Sequence, residues 1–535
     1  MTATRPATAY VDRIALLILA AVAITAALTF RDYGLGWDDF TQSQYGELLL
    51  KLYGSGFADR RALSFVNLYQ YGGGFDMAAA LAAKVLPFGL FETRRLVGGV
   101  VGLIGLFATW RLGRRLGGPW AGLAALALLA ACPLYFGHMM MNVKDAPFAV
   151  AMIVLLLAAA RALEEYPRPT LATVALFGIG LGTAFGTRVL AGLGAPEIGA
   201  GLLLIVALDA HAQGLRAAAV RLGQFLLKLL PGFVLGYLIM ALLWPWSVVS
   251  PLNPIRAAIY FDTFFGVYEK PWHELYDGHV FSVIQMPASY LVHLFVLKLP
   301  LLLLVLGLAG AMSALIVAAR GGAAPALRAN LLMLVVAIFL PLGLATITHP
   351  AFYNGIRHFV FVVPPLAVLG GVATGWMVAH LQMRGRAMRW GFAGLIVLGI
   401  ADPIIAMARL HPYEYTYFNE LAGGVRGAQH RFMLDYWGLA FQQAGNALRA
   451  KLAAAHETPP AGRKWAVAIC GEARAARIAL GPDFEVNWDD KTADFFMALG
   501  NFYCAQPPAP VLLTVERDGV TFAKVYDLRG RPKPR

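Results

Sequence analysis

The chain has 535 residues, of which 59% are hydrophobic and 14% charged, and its mean hydropathy is +0.62. Soluble globular proteins carry about 25% charged residues, so this composition excludes a typical soluble enzyme. The formal net charge of +13 does not indicate a nucleic-acid-binding protein, because the arginines lie mostly in short connectors between apolar blocks, where they orient membrane helices.

Apolar blocks recur along the chain at roughly the 18–22 residues that a helix needs to cross a bilayer. They predict an all-α polytopic membrane protein with about eleven transmembrane helices. The predicted spans are 12–30, 93–112, 119–136, 146–162, 170–187, 192–209, 222–245, 290–318, 329–348, 358–380 and 389–409. The first span lacks a small-residue cleavage site and is predicted to remain as an uncleaved signal anchor.

Basic residues between the spans predict the orientation of the chain. They are concentrated in alternate connectors, namely 111–118, 161–169, 210–221, 319–328 and 381–389. The positive-inside rule places these connectors and the N-terminus in the cytoplasm. After an odd number of crossings, a transmembrane domain over 1–409 is then followed by a periplasmic domain over 410–535, which predicts a multi-pass protein of the bacterial inner membrane.

The first outward connector, residues 31–92, is too long for a simple turn. Residues 44–53 and 63–84 carry apolar residues at helical spacing and predict amphipathic helices on the membrane surface, with a flexible break at 71–75. Asp38 and Asp39 lie just beyond the first span. Adjacent carboxylates there suit a general base or a pair of metal ligands, or else a solvated turn that caps a helix.

Most of the unusual ionisable residues share the outward side of the membrane, where they are costly unless they serve a function. Guanidinium groups bind phosphate oxygens well, and the candidates for an anion site are Arg94, Arg95, Lys144, Arg188, Arg357 and His358. For Arg94 and Arg95 the alternative is a helix end anchored at lipid headgroups. For Lys144 and Asp145 it is a local ion pair that orders the start of a helix.

The outward connector that begins at Trp244-Pro245-Trp246 is rich in aromatic residues. Aromatic faces suit a sugar ring as well as the interfacial belt of a membrane protein, and we predict the belt.

The composition changes after Arg409. A helix is predicted over 440–455 and strands over 464–470, 511–515 and 521–526, with a hairpin turn at 517–519. These elements predict a small α/β domain. Cys470 and Cys504 both lie in it, and a periplasmic location permits a disulfide between them.

Three stretches carry a resemblance to a known family. They are Gly36-Trp37-Asp38-Asp39-Phe40, His138 with Asn142–Phe148, and His411–Glu420 with Asp435–Gly438. Over roughly residues 10–440, the chain resembles the GT-C fold of membrane glycosyltransferases. It is most similar to glycosyltransferase family 39, which includes protein O-mannosyltransferases and the aminoarabinose transferases of lipid A. The third stretch is typical of an uncharacterised bacterial branch.

The resemblance implies transfer of a hexose or pentose, with inversion, from a polyprenyl-phosphate donor to an extracytoplasmic acceptor, which is a protein, lipid A or another glycan. The family's catalytic acid maps onto Asp38, although the usual motif is Asp-Glu where this chain has Asp-Asp. Asp39 and Asp145 are predicted as further catalytic carboxylates, and Trp37, His138 and Tyr353 as substrate contacts. For His138, in a Met-rich stretch, the alternative is packing.

A base needs a proton affinity suited to its task, and a carboxylate shielded at a membrane border can have a raised pKa. We therefore expect a raised pKa for Asp38. No cofactor is expected to be required, and Mg²⁺ or Mn²⁺ held by Asp38 and Asp145 is the alternative.

Two other functions fit a polytopic membrane protein. A transporter or flippase of a lipid-linked sugar usually shows repeated halves and charged or broken helices near the midplane, and the sequence shows no such repeat. A glycan ligase or polymerase would rely on outer-loop Arg and His residues more than on an acidic pair after the first helix.

Overall fold

The computed structural model describes residues 5–267, 272–381 and 384–531. The helices before the C-terminal region are α1 (Arg5–Thr29), α2 (Asp39–Gly54), α3 (Gly74–Ala83), α4 (Leu90–Ala130), α5 (Pro133–Met141), α6 (Asp145–Glu164), α7 (Leu171–Phe185), α8 (Gly194–Gln213), α9 (Leu215–Leu243), α10 (Asn253–Val267), α11 (Ser289–Lys298), α12 (Leu301–Ala319), α13 (Pro325–Thr348), α14 (Val363–Leu381) and α15 (Arg386–Leu410). Among the described residues, nine helices are long and apolar enough to cross a membrane. The predicted polytopic helical fold is confirmed.

The longest helix, α4, is a hairpin of two membrane arms. The helix is interrupted at Gly118, which is followed by Pro119. Gly118 has a φ of +83°, a backbone conformation that favours glycine. The arms run antiparallel and touch closely, since a Cβ on Gly122 would lie 2.6 Å from the Cβ of Arg114. The two predicted spans 93–112 and 119–136 thus form one folded-back unit, although the second arm ends at Ala130.

Small residues let the membrane helices approach one another. A Cβ on Gly371 of α14 would lie 2.3 Å from the carbonyl oxygen of Ala121 in α4, and one on Gly310 of α12 would lie 2.1 Å from the carbonyl oxygen of Leu369. Close backbone contact through small residues is the usual means of helix association in lipid. Helix α14 therefore packs closely against both α4 and α12.

The predicted span 290–318 is not one helix. It is split into α11 and α12 at Leu299-Pro300, because proline cannot donate the hydrogen bond that would continue the helix. The side-chain amide of Asn419 donates to the carbonyl oxygens of Val296 (2.6 Å) and Leu299 (2.8 Å). Asn419 thereby satisfies carbonyls that a helix end leaves unpaired.

The first outward segment also differs from the prediction. Helix α2 covers the predicted 44–53, but the predicted helix over 63–84 is wrong in its first half. That half forms two short 3-10 turns, Arg61–Ser64 and Leu68–Gln70, before α3 begins at Gly74. The turns pack on α2, where Leu49 and Ala62 are fully buried.

The predicted interfacial belt after α9 is wrong for Trp244. This residue is fully buried, and its indole Nε1 donates to the carbonyl oxygen of Tyr69 at 2.8 Å. Trp244 therefore ties the end of α9 to the first outward segment.

The C-terminal region contains α16 (Gly424–Ala428), α17 (Ala440–Ala454), α18 (Ala473–Leu480) and a mixed sheet. An outward two-stranded hairpin, β1 (His273–Tyr276) and β2 (His279–Ser282), precedes it in the chain. The sheet has the order β4-β3-β5-β7-β6. Its strands are β3 (Trp465–Cys470), β4 (Phe484–Asn487), β5 (Phe495–Leu499), β6 (Val511–Arg517) and β7 (Val520–Asp527).

Within this sheet, β3 runs parallel to β4 and β5, whereas β7 is antiparallel to β5 and β6. Asp518 and Gly519 both have positive φ at the turn between β6 and β7, which is the geometry of a tight hairpin turn. Cys470 and Cys504 form a disulfide. Residues 411–438 precede the sheet and pack on the membrane helices, as the contacts of Asn419 illustrate.

Candidate active site

Asp38 lies in the short loop that joins α1 to α2. It occupies the position before the first residue of α2, but its side chain makes no capping hydrogen bond. The alternative of a capping turn is therefore wrong. The carboxylate is instead turned towards Lys144, whose Nζ lies 2.9 Å from Asp38 Oδ2.

Five charged side chains from four parts of the chain meet at this point, and we call them the ion cluster: Asp38, Lys144, Asp145, Arg188 and Arg357. Arg357 Nη1 lies 3.8 Å from one carboxylate oxygen of Asp38 and 3.8 Å from one of Asp145. Arg188 pairs with the other oxygen of Asp145. The cluster has three cations and two carboxylates, so its formal charge leaves room for an anion.

Asn142 holds the second outward motif in place. Its side-chain oxygen accepts hydrogen bonds from the backbone nitrogens of Lys144 (3.1 Å) and Asp145 (2.8 Å), and its amide nitrogen donates to Asp145 Oδ2 (2.9 Å). The same amide donates to His138 Nδ1 at 2.9 Å, which leaves His138 Nε2 as the donor to the Tyr436 hydroxyl, 3.0 Å away. The break between α5 and α6 is thus rigid, and it directs Lys144 and Asp145 towards Asp38.

Aromatic rings enclose the cations of the ion cluster. The centroid of Tyr71 lies 5.2 Å from Lys144 Nζ and 5.7 Å from the guanidinium carbon of Arg188. Arg357 lies 4.9 Å from the ring of Tyr353 and 4.8 Å from that of Trp437. Such cation–π contacts hold a cation without neutralising its charge.

The guanidinium of Arg357 is buried with unused donors. Its Nε and Nη1 make no hydrogen bond to any described residue, and the side chain is only 4% exposed. A buried donor without a partner costs about 1–3 kcal/mol, so native proteins keep few of them. Arg357 is therefore poised for an acceptor that the chain itself does not supply.

Asp38 is more acidic than the sequence suggested. Burial alone would raise its pKa, but Lys144 and Arg357 together hold the pKa of Asp38 below its usual value. The expectation of a raised pKa is wrong for this state of the protein, because the cations that lower it come from distant parts of the chain.

Asp39 faces away from the ion cluster. Its carboxylate accepts two hydrogen bonds from Arg95, at 2.8 and 2.5 Å, and one from the backbone nitrogen of Gly36 at 2.8 Å. Arg95 also donates to the carbonyl oxygen of Gly34 at 2.6 Å. Both side chains are almost fully buried, so the geometry contradicts a catalytic role for Asp39 and a phosphate-binding role for Arg95.

Arg94 is likewise removed from the candidate anion ligands. It pairs with Asp76 of α3 at 2.5 Å, and both side chains are buried. Burial raises the pKa of Asp76 to about 6, while Arg94 opposes that rise. We call the Asp39–Arg95 and Asp76–Arg94 pairs the closed pairs. They fasten the first outward segment to α4.

The remaining predicted site residues are the phosphate ligand His358 and the substrate contacts Tyr353, His138 and Trp37. Tyr353 packs on Arg357, and His358 meets the ring of Tyr353 edge to face at 4.9 Å. His138 is fully buried, so the alternative of a packing and positioning residue describes it better than a substrate contact. Trp37 is 42% exposed, at the rim of the site next to Trp437, whose carbonyl accepts from its backbone nitrogen.

Sequence analysis missed Tyr71, Trp437 and Lys298 as members of this region. Lys298 is 1% exposed, lies 4.2 Å from the ring centroid of Phe418 and has no ion pair among the described residues. Its signal was present, because a lone lysine within the apolar run 290–318 is unusual. Tyr71 lies in the predicted break at 71–75 and Trp437 in the stretch Asp435–Gly438. Nothing in the sequence around these aromatic residues indicated that they would contact cations.

The site contains few groups suited to a metal ion. In the part of the chain that the structure describes, no cluster of three or more His, Cys, Asp or Glu side chains could hold one. Asp38 and Asp145 face each other across Arg357, so a guanidinium occupies the place that a bridging cation would take.

Comparisons with known proteins complete this description. Residues 75–207 match a family model described as dolichyl-phosphate-mannose-protein mannosyltransferase. The match confirms the family resemblance over this segment, which includes Lys144, Asp145 and Arg188. No curated protein matches the chain significantly.

Similar solved structures include ArnT from Cupriavidus metallidurans in the apo state, with 17% identity over 97% of this chain and 98% of that chain and a TM-score of 0.49. ArnT bound to undecaprenyl phosphate gives 17% identity over 98% of both chains and a TM-score of 0.47. The oligosaccharyltransferase of Archaeoglobus fulgidus tethered to an acceptor peptide gives 14% identity over 85% and 61% of the chains and a TM-score of 0.48.

Proposed function

We propose that this chain is an inverting glycosyltransferase that moves a sugar from a polyprenyl-phosphate donor to an acceptor on the outward side of the membrane. The observation that carries the proposal is Arg357, whose buried Nε and Nη1 have no hydrogen-bond partner among the described residues and whose Nη1 lies 3.8 Å from both carboxylates of the ion cluster. The family match over residues 75–207 supports the same chemistry.

The donor phosphate binds among the three cations. Arg357 offers its unused donors, Lys144 reaches the same place from α6, and Arg188 approaches from the end of α7. Charge-assisted hydrogen bonds to phosphate are about twice as strong as neutral ones. One added phosphate also offsets the excess positive charge of the ion cluster.

Asp38 acts as the general base. The acceptor hydroxyl or amine gives its proton to the Asp38 carboxylate, the acceptor atom forms the new bond to the anomeric carbon, and the bond from that carbon to the phosphate oxygen breaks. The polyprenyl phosphate leaves with both electrons of that bond, and the cations stabilise the charge that develops on it.

Donor binding also activates this base. In the free protein Lys144 and Arg357 hold the pKa of Asp38 low. A bound phosphate shares these cations and adds negative charge nearby, so it raises the proton affinity of Asp38. The base therefore becomes effective when the donor is in place.

The cations take the role that a metal ion serves in other transferases. Three positive groups already meet at the place proposed for the donor phosphate. We propose that transfer needs no Mg²⁺ or Mn²⁺ and continues in the presence of a chelator.

The membrane context follows from the distribution of basic connectors. We propose a bacterial inner-membrane protein with a cytoplasmic N-terminus and a periplasmic active site. The acceptor is a periplasmic protein, lipid A or another glycan, and the transferred sugar is a hexose or a pentose.

The Asp38→Asn variant tests the proposal directly. In membranes supplied with radiolabelled polyprenyl-phosphate sugar, transfer to endogenous acceptors should fall by about 10²- to 10⁴-fold, the usual contribution of a general base. Asp277→Asn is the matched control, because Asp277 is an exposed carboxylate paired with Arg431, and it should keep wild-type transfer. Near-normal transfer by folded Asp38→Asn protein would overturn the assignment.

A further inference from the structure

Helix α15 stands apart from the membrane bundle over most of its length. Only Pro403 and Leu410 of its 25 residues are buried. The space between α15 and the bundle is a groove of about 590 Å³, within the range of ~300–1,000 Å³ that ligand pockets occupy. In a bilayer such a groove is filled by something other than water.

The walls of this groove are apolar and its mouth is basic. Ile18 of α1, Leu123 of α4 and Ile396 of α15 contribute to the walls, and Arg386 and Arg389 lie at the start of α15. Among the described residues that line the groove, none is acidic. Neither arginine has an ion pair with a described residue, so two positive charges lie beside an apolar groove.

The groove is separate from the candidate active site. Ile14 and Ile18 line it from the middle of α1, whereas Asp38 lies beyond the C-terminal end of that helix. Arg386 and Arg389 belong to the basic connector that the positive-inside rule assigns to the cytoplasm. The site therefore meets lipids of the leaflet opposite to Asp38.

We propose that the groove binds one anionic glycerophospholipid of that leaflet, with its phosphate on Arg386 and Arg389 and an acyl chain along α15. We expect an anionic lipid to bind better than a zwitterionic one, because the headgroup of a zwitterionic lipid carries a positive charge that the two guanidinium groups repel. Basic residues at a membrane surface each favour anionic lipid.

The bound lipid supports the segment beneath the active site. Helix α15 ends at Leu410, and His411 follows immediately with contacts to Asp32 (3.0 Å) and Glu414 (2.7 Å). Glu414 in turn accepts a hydrogen bond from Tyr33 at 2.9 Å. A lipid that fixes the position of α15 therefore also fixes this link to the loop that carries Asp38.

Native mass spectrometry of the full-length protein tests the site without any transfer assay, so its result is independent of the proposed function. The protein is reconstituted with phosphatidylcholine and phosphatidylglycerol together, and the retained lipids are counted. Wild type should retain phosphatidylglycerol about tenfold over phosphatidylcholine. Arg386→Gln/Arg389→Gln should lose the preference, whereas Arg216→Gln/Arg320→Gln, which removes two exposed arginines outside the groove, should keep it.

Ala393→Trp fills the groove while leaving the charges in place, and it should reduce retention of the bound phospholipid. Equal retention of both lipids by wild type would overturn the proposal, as would equal losses in the two double-arginine variants. Displacement of phosphatidylglycerol by added polyprenyl phosphate, or a dimer that Ala393→Trp dissociates, would assign the groove to another occupant and equally overturn it.

Discussion

The ion cluster around Asp38 and the closed pairs around Asp39 and Asp76 are built from similar charged residues, yet they differ in exposure and in how the cations are shared. In the closed pairs each carboxylate meets one arginine within 2.5 Å in a buried setting. In the ion cluster Asp38 is 32% exposed and shares its cations with Asp145. A carboxylate that is buried against one arginine holds structure, whereas the partly exposed Asp38, which shares its cations, is available to a substrate.

This contrast separates two neighbouring residues of one motif. A buried pair whose partner is removed leaves an uncompensated charge and costs about 3–5 kcal/mol. Neutralising the partly exposed Asp38 should cost less, since Arg357 and Arg188 keep their contacts with Asp145. Mutation of Asp39 should therefore reduce the stability of the fold, whereas mutation of Asp38 should reduce activity.

The largest expected effect is on folding, from Asp39→Asn. It leaves the Arg95 guanidinium buried without its carboxylate, and we expect a loss of about 3–5 kcal/mol in stability. The measurement is the thermal midpoint and the yield of monodisperse protein in detergent. Asp59→Asn is the control, because Asp59 pairs with Arg61 at the surface.

A double variant sharpens this test. Asp39→Asn with Arg95→Met removes both charges and should recover part of the lost stability. A folded, stable Asp39→Asn protein with no transfer activity would contradict the contrast, because it would return Asp39 to the catalytic groups.

The second effect concerns donor binding through Arg357. Arg357→Lys keeps a positive charge but loses the planar fork and its packing between Tyr353 and Trp437. We expect the KM for the donor to rise by about 10- to 100-fold, equivalent to one or two charge-assisted hydrogen bonds. Arg431→Lys, which alters an exposed arginine beside Phe432, should leave KM unchanged. An unaltered KM in Arg357→Lys would remove Arg357 from the phosphate site.

The third effect is a shift in pH dependence from Lys144→Met. Lys144 lowers the pKa of Asp38 against the effect of burial, so its removal should raise that pKa. The acid limb of kcat/KM, which reports groups of the free enzyme, should then move to higher pH. Lys144→Arg should keep the wild-type profile, and Lys51→Met serves as a control for loss of a distant charge. An acid limb that stays in place would separate Lys144 from the base.

The sequence predicted the membrane bundle better than the site. The bilayer determines the length of each span and the distribution of basic connectors. Both can be recognised from short stretches of sequence. The roles of Asp38 and Asp39 depend instead on which arginine or lysine from a distant part of the chain contacts each carboxylate. The short strands β1, β2, β4 and β5 were not predicted, because runs of four or five residues carry little periodicity. The break between α11 and α12 was missed as well, because hydropathy alone joined residues 290–318 into one span across Lys298 and Pro300.

The smallest expected effect concerns ion pairs of intermediate exposure. It tests whether the burial of a charged group decides its role. His411 is 28% exposed and binds Glu414 and the half-exposed Asp32. Burial alone would lower its pKa, but Glu414 and Asp32 raise the pKa of His411 above its usual value. The protonated form is thus favoured by folding, so its contribution is complete below the ordinary histidine pKa of about 6.5 and is lost as pH rises through the raised pKa. Screening limits it to about 1 kcal/mol. Thermal midpoints across this pH range should fall more steeply for wild type than for His411→Gln, whereas equal slopes would show that His411 does not titrate with folding.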